Sequence, residues 1–254
     1  MLLNVRGVRI NALVLRGSGP AVILHGAGPA GWELWQLPAE LLAAKGWTVV
    51  AFDHRGSGST QADPSTINAD NLARDVIGVM DALSIDRTFI GGESMGGVVA
   101  MLAAGLALER VRGLLLAVTP PAVTAAARPL WEGWERDLVG FTRWFVDECI
   151  PEPESQQLKP WANDVFLRGS ARHGHVVMKA MAEPGAAPDL ARLDVPAIVV
   201  AGTKDTIVPP EVVAATARKL PRAELITVDG MGHAPVLTQP ALLAEALVRL
   251  AEKA

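Results

Sequence analysis

Short apolar runs alternate along the chain with segments of helical period. Apolar runs of about four to eight residues, bounded by turn residues, are typical of strands buried in a parallel sheet. Such runs recur over most of the sequence and are rich in Val, Ile and Leu. They predict an opening hairpin of residues 2–6 and 8–16 around Gly7, and strands at 21–25, 47–52, 87–90, 114–118, 196–202 and 224–228.

The segments between these runs predict helices. Between residues 69 and 83, an apolar stripe recurs at the spacing of one helix face: Leu72, Val76, Val79 and Met80. Further helices are predicted near 38–44, 98–104, 211–220 and 240–251. This alternation favours the α/β class, with a mostly parallel sheet of about eight strands, helices on both faces and right-handed crossovers.

The alternation stops between Pro120 and Pro188, where no convincing strand pattern occurs. This segment holds four of the seven tryptophans: Trp131, Trp134, Trp144 and Trp161. The run 131–148 predicts a helix. Because large aromatic side chains bury well in many settings, packing accounts for most of these tryptophans. The segment therefore predicts a helical insertion after the sixth strand.

Ser94 stands at the turn between the predicted strand 87–90 and the predicted helix 98–104, within the pattern Gly92-x-Ser94-x-Gly96. In that context the pattern is typical of a nucleophile elbow, whose serine sits on a sharp, strained turn. The flanking positions must be small because the chain passes close to itself there. The pattern alone is common, so its position between a strand and a helix carries the prediction that Ser94 is a nucleophile.

A serine nucleophile requires a base and a third group that orients the base. Asp205 follows the strand 196–202, and His233 follows the strand 224–228. Both therefore fall at the carboxyl edge of the sheet, where open α/β sheets bind ligands. The chain order Ser, Asp, His also fits an elbow of this kind. Asp205 as a turn residue and His233 as a solvated loop residue are the alternatives.

Five motifs in order give the chain a resemblance to the α/β-hydrolase fold family, to its serine esterase and lactonase-like members with a helical cap. They are His25-Gly26-Ala27-Gly28-Pro29, Asp53-His54-Arg55-Gly56-Ser57-Gly58, the elbow, Gly202-Thr203-Lys204-Asp205 and Gly232-His233.

The resemblance implies a core of residues 1–120 and 188–254, and a cap (lid) of residues 121–187 over the active site. It also implies that the backbone N–H groups of Ala27 and Met95 form the oxyanion hole. His25, Asp53 and Arg55 are expected to be structural. Of the cap tryptophans, Trp131 and Trp134 are the ones expected to face the substrate pocket.

Within this family, hydrolysis of carboxylic esters or lactones of a small-to-medium, largely apolar substrate is the expected activity. Hydrolysis of carbon–carbon bonds in ring-cleavage products is the first alternative. Such enzymes carry a Trp after the catalytic His, and here Ala234 and Pro235 follow His233. Two further alternatives are a peroxidase-like perhydrolase and a non-catalytic receptor that keeps the triad. Glu93 lies beside the predicted nucleophile, and three roles stay open for it. It could tune the local electrostatic field, form a hydrogen bond across the base of the pocket, or point away under the edge of the sheet.

Composition restricts the other classes of function. The 254 residues fit one α/β domain. The net charge of −4 does not indicate the positively charged surface that binds nucleic acid. Cys149 is the single cysteine, and the pair His173 and His175 has no third ligand at a suitable spacing. No cofactor, metal or membrane partner is therefore expected. Met1 to Arg6 does not have the pattern of a signal peptide, which predicts a cytoplasmic location, and no oligomeric state is predicted.

Overall fold

The computed structural model describes residues 1–170 and 173–254, and the strands of this part of the chain form a single eight-stranded sheet. Its strands are β1 (Leu2–Val5), β2 (Val8–Leu15), β3 (Ala21–His25), β4 (Thr48–Phe52), β5 (Thr88–Glu93), β6 (Val111–Ala117), β7 (Ala197–Gly202) and β8 (Ala223–Val228). β3 to β8 run parallel, whereas β1 pairs antiparallel with β2 and β2 pairs antiparallel with β4. The α/β class with a mostly parallel sheet is thereby confirmed.

Helices alternate with these strands. Those in the described residues are α1 (Gln36–Ala44), α2 (Ala69–Ala82), α3 (Met95–Leu106), α4 (Arg128–Arg136), α5 (Leu138–Cys149), α6 (Lys159–Ser170), α7 (Gly174–Met181), α8 (Pro210–Lys219), α9 (Pro235–Thr238) and α10 (Pro240–Ala251). In α2, the predicted apolar stripe is fully buried, and the Asn68 side chain caps the helix by accepting a hydrogen bond from the Asn71 N–H.

The strand order, β1-β2-β4-β3-β5-β6-β7-β8, places a topological switch point between β3 and β5. The chain leaves β3 toward β4 on one side, and leaves β5 toward β6 on the other. Because such crossovers are right-handed, α1 and α3 cover opposite faces of the sheet. The crevice at the carboxyl ends of β3 and β5 is where open α/β sheets bind ligands.

The helices α4 to α7 lie between β6 and β7, which confirms the insertion after the sixth strand. The prediction of one helix over 131–148 is wrong, because two helices, α4 and α5, meet at Asp137. Asp137 adopts an extended backbone (φ −147°, ψ 86°), and its carboxylate accepts a hydrogen bond from the Gly140 N–H. A capping carboxylate thus ends one helix and begins the next. The cap boundaries, 121–187, stay a prediction, and residues 171 and 172 within them lie outside the described residues.

The turn from β5 to α3 differs from its predicted limits. β5 extends through Gly91, Gly92 and Glu93, and α3 begins directly at Met95, so that Ser94 alone separates strand from helix. A Cβ on Gly96 would meet the backbone oxygens of His25 and Gly26 closer than van der Waals contact allows. The elbow and the loop after β3 are therefore in backbone-to-backbone contact. Within the described residues, no helix is long and apolar enough to cross a membrane.

This contact predicts the effect of two glycine-to-alanine changes in one helix. Gly96→Ala should lower the free energy of unfolding by at least about 2 kcal/mol, because rigid backbone rather than a flexible side chain opposes the new methyl group. Gly105→Ala is the matched control: its nearest neighbour would be Leu193 Cδ2 at 3.9 Å, and Ala favours a helix more than Gly does. Urea denaturation of both variants measures the difference. Equal stabilities would contradict the close approach.

Candidate active site

Ser94 occupies a strained backbone conformation at the carboxyl end of β5. Its φ of 53° and ψ of −121° lie in a region that residues other than glycine rarely adopt. The Ser94 N–H donates to the Ala117 carbonyl at the end of β6, which holds the strained residue in place. A Cβ on Gly92 would collide with the backbone of Gly96, so glycine is required there. The elbow pattern thus reflects steric demands at both glycines.

The structure brings Ser94, His233 and Asp205 together from the ends of three strands. Ser94 Oγ lies 3.0 Å from His233 Nε2, and His233 Nδ1 lies 2.7 Å from Asp205 Oδ2. Asp205 and His233 are both buried. The other carboxylate oxygen, Asp205 Oδ1, accepts hydrogen bonds from the N–H groups of Ile207 and Val208, each at 2.9 Å. Asp205 is therefore hydrogen-bonded to the histidine and does not cap α8.

The loop after β3 brings Ala27 to the same place. Ala27 and Gly28 line a cavity together with Ser94 and His233. We call this cavity the inner cavity. Met95 is the first residue of α3, and the first N–H groups of a helix have no partner within the helix. Ala27 thus lines the same cavity as Ser94, and Met95 follows Ser94 directly in the chain.

Two buried histidines, His25 and His54, contact the backbone carbonyl groups of this loop. The rings of His25 and His54 are stacked with centroids 4.9 Å apart, and His25 Nδ1 lies 2.9 Å from the Gly26 carbonyl oxygen. His54 Nε2 lies 2.9 Å from the Gly28 carbonyl oxygen. Burial, together with the neighbouring His54, lowers the pKa of His25 to about 3. Burial likewise lowers the pKa of His54, although its hydrogen bonds and nearby carboxylates oppose that shift.

Asp53 joins the loops after β3 and β4. Its carboxylate accepts hydrogen bonds from the Trp32 N–H, the Ser59 N–H and the Asn11 side-chain amide. Arg55 is buried against Asp75 of α2 and also donates to Thr66. Neither side chain lines the inner cavity, so the positions of both fit a structural role.

The inner cavity is narrow, about 40 Å³, and mostly apolar. Trp134 lines it, donates its indole N–H to Thr142 Oγ1 at 3.2 Å, and has its ring 4.0 Å from the position of a Cβ on Gly28. Trp131 does not line this cavity, and borders a separate surface depression near Glu132 and His175. The remaining apolar wall comes chiefly from the insertion: Leu130, Phe145, Val146, Ile150, Phe166 and Met178.

A wider outer groove of about 560 Å³ adjoins the inner cavity. The two share Ser94, Leu130, Met178 and Ile207. The groove is bordered by residues that follow β6 and β7: Pro120, Pro121, Val123, Thr206, Val208 and Pro209. Ser94 therefore lies between a narrow apolar compartment and a broader one.

Sequence reasoning missed the residues that hold the histidine loop. At the end of α5, the Cys149 carbonyl accepts a hydrogen bond from the His233 N–H at 2.9 Å. The buried Glu152 Oε1 accepts from the Gly232 N–H at 2.8 Å and from Thr238 Oγ1 at 3.1 Å. No sequence pattern marks residues so distant in the chain as partners. The insertion thus both covers the site and helps to position His233.

Cys149 also lines the inner cavity, but burial raises the pKa of its thiol well above the ordinary value, and Asp205 and Glu93 add to this. A buried thiol of this kind is unreactive. His173 and His175 do not assemble a metal centre: in residues 1–170 and 173–254, no group of three or more His, Cys, Asp or Glu side chains could hold an ion.

Comparisons with known proteins agree with this architecture. A model of the alpha/beta hydrolase family matches residues 21–246. The chain is 25% identical to a protein provisionally described as the carbamate hydrolase RutD of Azorhizobium caulinodans, over 92% of both chains. It is 27% identical to 3-oxoadipate enol-lactonase 2 of Acinetobacter baylyi, over 74% of this chain and 72% of that protein. The solved esterase EaEST from Exiguobacterium antarcticum has the same fold, with a TM-score of 0.89 at 21% identity over 99% of both chains.

The buried His25 predicts an acid-dependent loss of stability. An unfolded histidine binds a proton below about pH 6.5, whereas folded His25 stays neutral down to about pH 3. Between these values the unfolded state binds more protons, so His25 should lower the free energy of unfolding by up to about 1.4 kcal/mol per pH unit as the pH falls.

Denaturant titrations of wild type and His25→Asn between pH 7 and pH 4 measure this slope. The variant should show a shallower dependence on pH, whatever its absolute stability. His175→Asn, in the half-buried surface histidine, is the control and should keep the wild-type slope. A wild-type slope in His25→Asn would refute the assignment.

Proposed function

This chain belongs to the alpha/beta hydrolase family, and we propose that it is a serine hydrolase that cleaves carboxylic esters or lactones through an acyl-enzyme. The observation that carries the proposal is the continuous chain of contacts from Ser94 Oγ to His233 and from His233 to Asp205. A serine, a histidine and a carboxylate in this arrangement are recognised by geometry, and they perform acyl transfer on several unrelated folds.

In the first half of the reaction, Ser94 Oγ attacks the carbonyl carbon of the substrate. Its proton moves to His233 Nε2, 3.0 Å away, and His233 Nδ1–H keeps its hydrogen bond to Asp205. The carboxylate fixes the tautomer of the imidazole and stabilises the cation that forms. His233 then donates the proton to the leaving alcohol as the bond to carbon breaks, which leaves an ester on Ser94.

In the second half, water takes the place of the alcohol. His233 removes a proton from the water, hydroxide attacks the acyl carbon, and the proton returns to Ser94 Oγ as the acid is released. In both halves, negative charge develops on the carbonyl oxygen. The N–H groups of Ala27 and Met95 are the proposed donors to that oxygen, since a donor held by the fold requires little reorganisation when charge appears.

The two compartments beside Ser94 indicate the shape of the substrate. The inner cavity, with Trp134 and the apolar side chains of the insertion, accepts a compact part of an ester. The outer groove, about 560 Å³, has room for a larger part. A small-to-medium ester or lactone with largely apolar surfaces fits both. Its reacting carbonyl would lie at Ser94, which the compartments share.

Carbon–carbon hydrolysis of ring-cleavage products is less well supported. Those substrates carry a carboxylate, which requires a cationic partner, but the residues that line the inner cavity in the described part of the chain include neither Lys nor Arg. Of the candidate cations in the insertion, Arg143 is exposed and Arg168 pairs with Glu33 at 3.2 Å on the surface. The inner cavity therefore favours an uncharged part of the substrate, whereas Lys219 borders the outer groove.

The nucleophile and its supporting acid are tested together. Ser94→Ala should fold and lose ester turnover, and a serine-directed organophosphonate should add one adduct that mass spectrometry maps to Ser94. Asp205→Asn should lower kcat by up to about 10⁴-fold, because the wrong histidine tautomer is then favoured. Labelling of another serine, or near-normal turnover by Ser94→Ala, would overturn the assignment of the nucleophile. A wild type that neither turns over esters nor reacts with the phosphonate would leave a non-catalytic receptor as the better explanation.

The bond that is cleaved is tested by parallel kinetics. The protein should hydrolyse p-nitrophenyl butyrate or a simple lactone with a kcat/KM at least about tenfold above that for a ring-opened biaryl dienone. A tenfold ratio corresponds to about 1.4 kcal/mol in transition-state stabilisation. The missing cation in the cavity is the physical reason. A dienone that proves to be the best substrate would reverse the assignment in favour of carbon–carbon hydrolysis.

A further inference from the structure

Glu93 is an acidic residue in the lining of an apolar cavity. It is the last residue of β5, directly before Ser94, and only 2% of its surface is exposed. It lines the inner cavity, and its carboxyl accepts a hydrogen bond from the Val236 N–H. One carboxyl oxygen, Oε1, is buried and has no hydrogen-bond partner among the described residues.

The surroundings of Glu93 favour its uncharged form. No Lys or Arg is found among the described residues that line the inner cavity, and the nearby titratable groups are Asp205, Cys149 and His233. Burial raises the pKa of Glu93 well above its ordinary value, and the charge of Asp205 raises it further. A neutral carboxyl has one O–H donor, which a carboxylate lacks.

An unpartnered donor in this place requires an explanation. Leaving a buried polar group without a partner costs about 1–3 kcal/mol, and native proteins contain few such groups. A leucine of similar size would avoid that cost at Oε1. The unpaired group also belongs to the residue that precedes the nucleophile, so a bound substrate would bring atoms of its own close to it.

We propose that Glu93 is a specificity-determining residue whose Oε1–H donates a hydrogen bond to an oxygen acceptor on the part of the substrate that enters the inner cavity. The preferred substrates are therefore neutral esters that carry an ether, keto or hydroxyl oxygen a few bonds from the reacting carbonyl. This inference rests on the proposed ester hydrolysis and adds the chemical class of the substrate to it.

Glu93 is not an alternative base for Ser94. Ser94 Oγ is already paired with His233 Nε2, and a neutral carboxyl cannot accept a proton as a base does. A purely structural role, as acceptor for the Val236 N–H, predicts equal losses on every substrate when the side chain is replaced. A recognition role predicts losses that depend on the acceptor oxygen. The two roles can therefore be separated by a ratio of rates.

The test uses pairs of p-nitrophenyl esters with equal numbers of heavy atoms. Methoxyacetate is compared with butyrate, and 3-methoxypropanoate with pentanoate, so that each pair differs by an ether oxygen in place of a methylene. Each ratio of kcat/KM is divided by the ratio of the alkaline hydrolysis rates, which removes the intrinsic reactivity of the ester. The wild type should prefer at least one ether ester by about tenfold or more after this correction.

Two variants of Glu93 identify the cause of that preference. Glu93→Leu removes the donor, so the corrected ratio should fall to near one. Glu93→Gln is the matched control, since its amide keeps both an acceptor for Val236 and a donor for the substrate, and it should retain a preference. Circular dichroism and thermal melts establish that each variant is folded.

Each outcome decides the question. A wild-type ratio near one for both pairs overturns the proposal even if Glu93→Leu does not fold. A preference that survives in Glu93→Leu, or equal losses on both members of each pair, shows that Glu93 is structural. If wild type cleaves none of the esters and Ser94 is not labelled by the phosphonate, the proposed hydrolase function itself fails, and the role of Glu93 fails with it. Cleavage with a flat ratio leaves the hydrolase standing and refutes only the role of Glu93.

Discussion

The close backbone contact between the elbow and the loop after β3 is the constraint on which the site depends. Gly96 brings the first turn of α3 against the carbonyl oxygens of His25 and Gly26, and Ser94 takes up the strain with a positive φ. This contact sets the position of Ala27 relative to Ser94 and Met95. Strain of this kind persists only where the surrounding structure fixes it, and here β5, β6 and the buried loop after β3 do so.

Buried polar groups hold the surrounding loops by two different means. Asp53 and Asp205 each accept hydrogen bonds from two backbone N–H groups, and Glu152 accepts one from the Gly232 N–H and one from the Thr238 hydroxyl, which offsets part of the cost of burial. His25 is held neutral by its apolar surroundings, and Glu93 is driven toward its neutral form in the same way. His25 Nε2 and Glu152 Oε2 also have no hydrogen-bond partner among the described residues, but of these residues only Glu93 lines the inner cavity, where a ligand could reach it.

The insertion between β6 and β7 has two effects on the site. Its aromatic and aliphatic side chains narrow the inner cavity, and its segment from Cys149 to Glu152 binds the backbone on the amino side of His233. Displacement of that segment would disturb both the cavity wall and the histidine loop. The wall of the inner cavity and the position of His233 therefore depend on the same segment.

The sequence by itself determined the α/β class and the insertion, and it predicted Ser94, Asp205 and His233 as site residues, because each depends on a local pattern: an apolar run, a turn signal or a short motif after a strand. The split of the run 131–148 at Asp137 was missed, since a single side-chain cap decided it. Three features were decided only by the tertiary structure. Trp134 lines the inner cavity whereas Trp131 does not, Glu152 accepts a hydrogen bond from the loop before His233, and Glu93 has an unpaired oxygen. They arise from contacts between segments far apart in the chain, which no local pattern encodes.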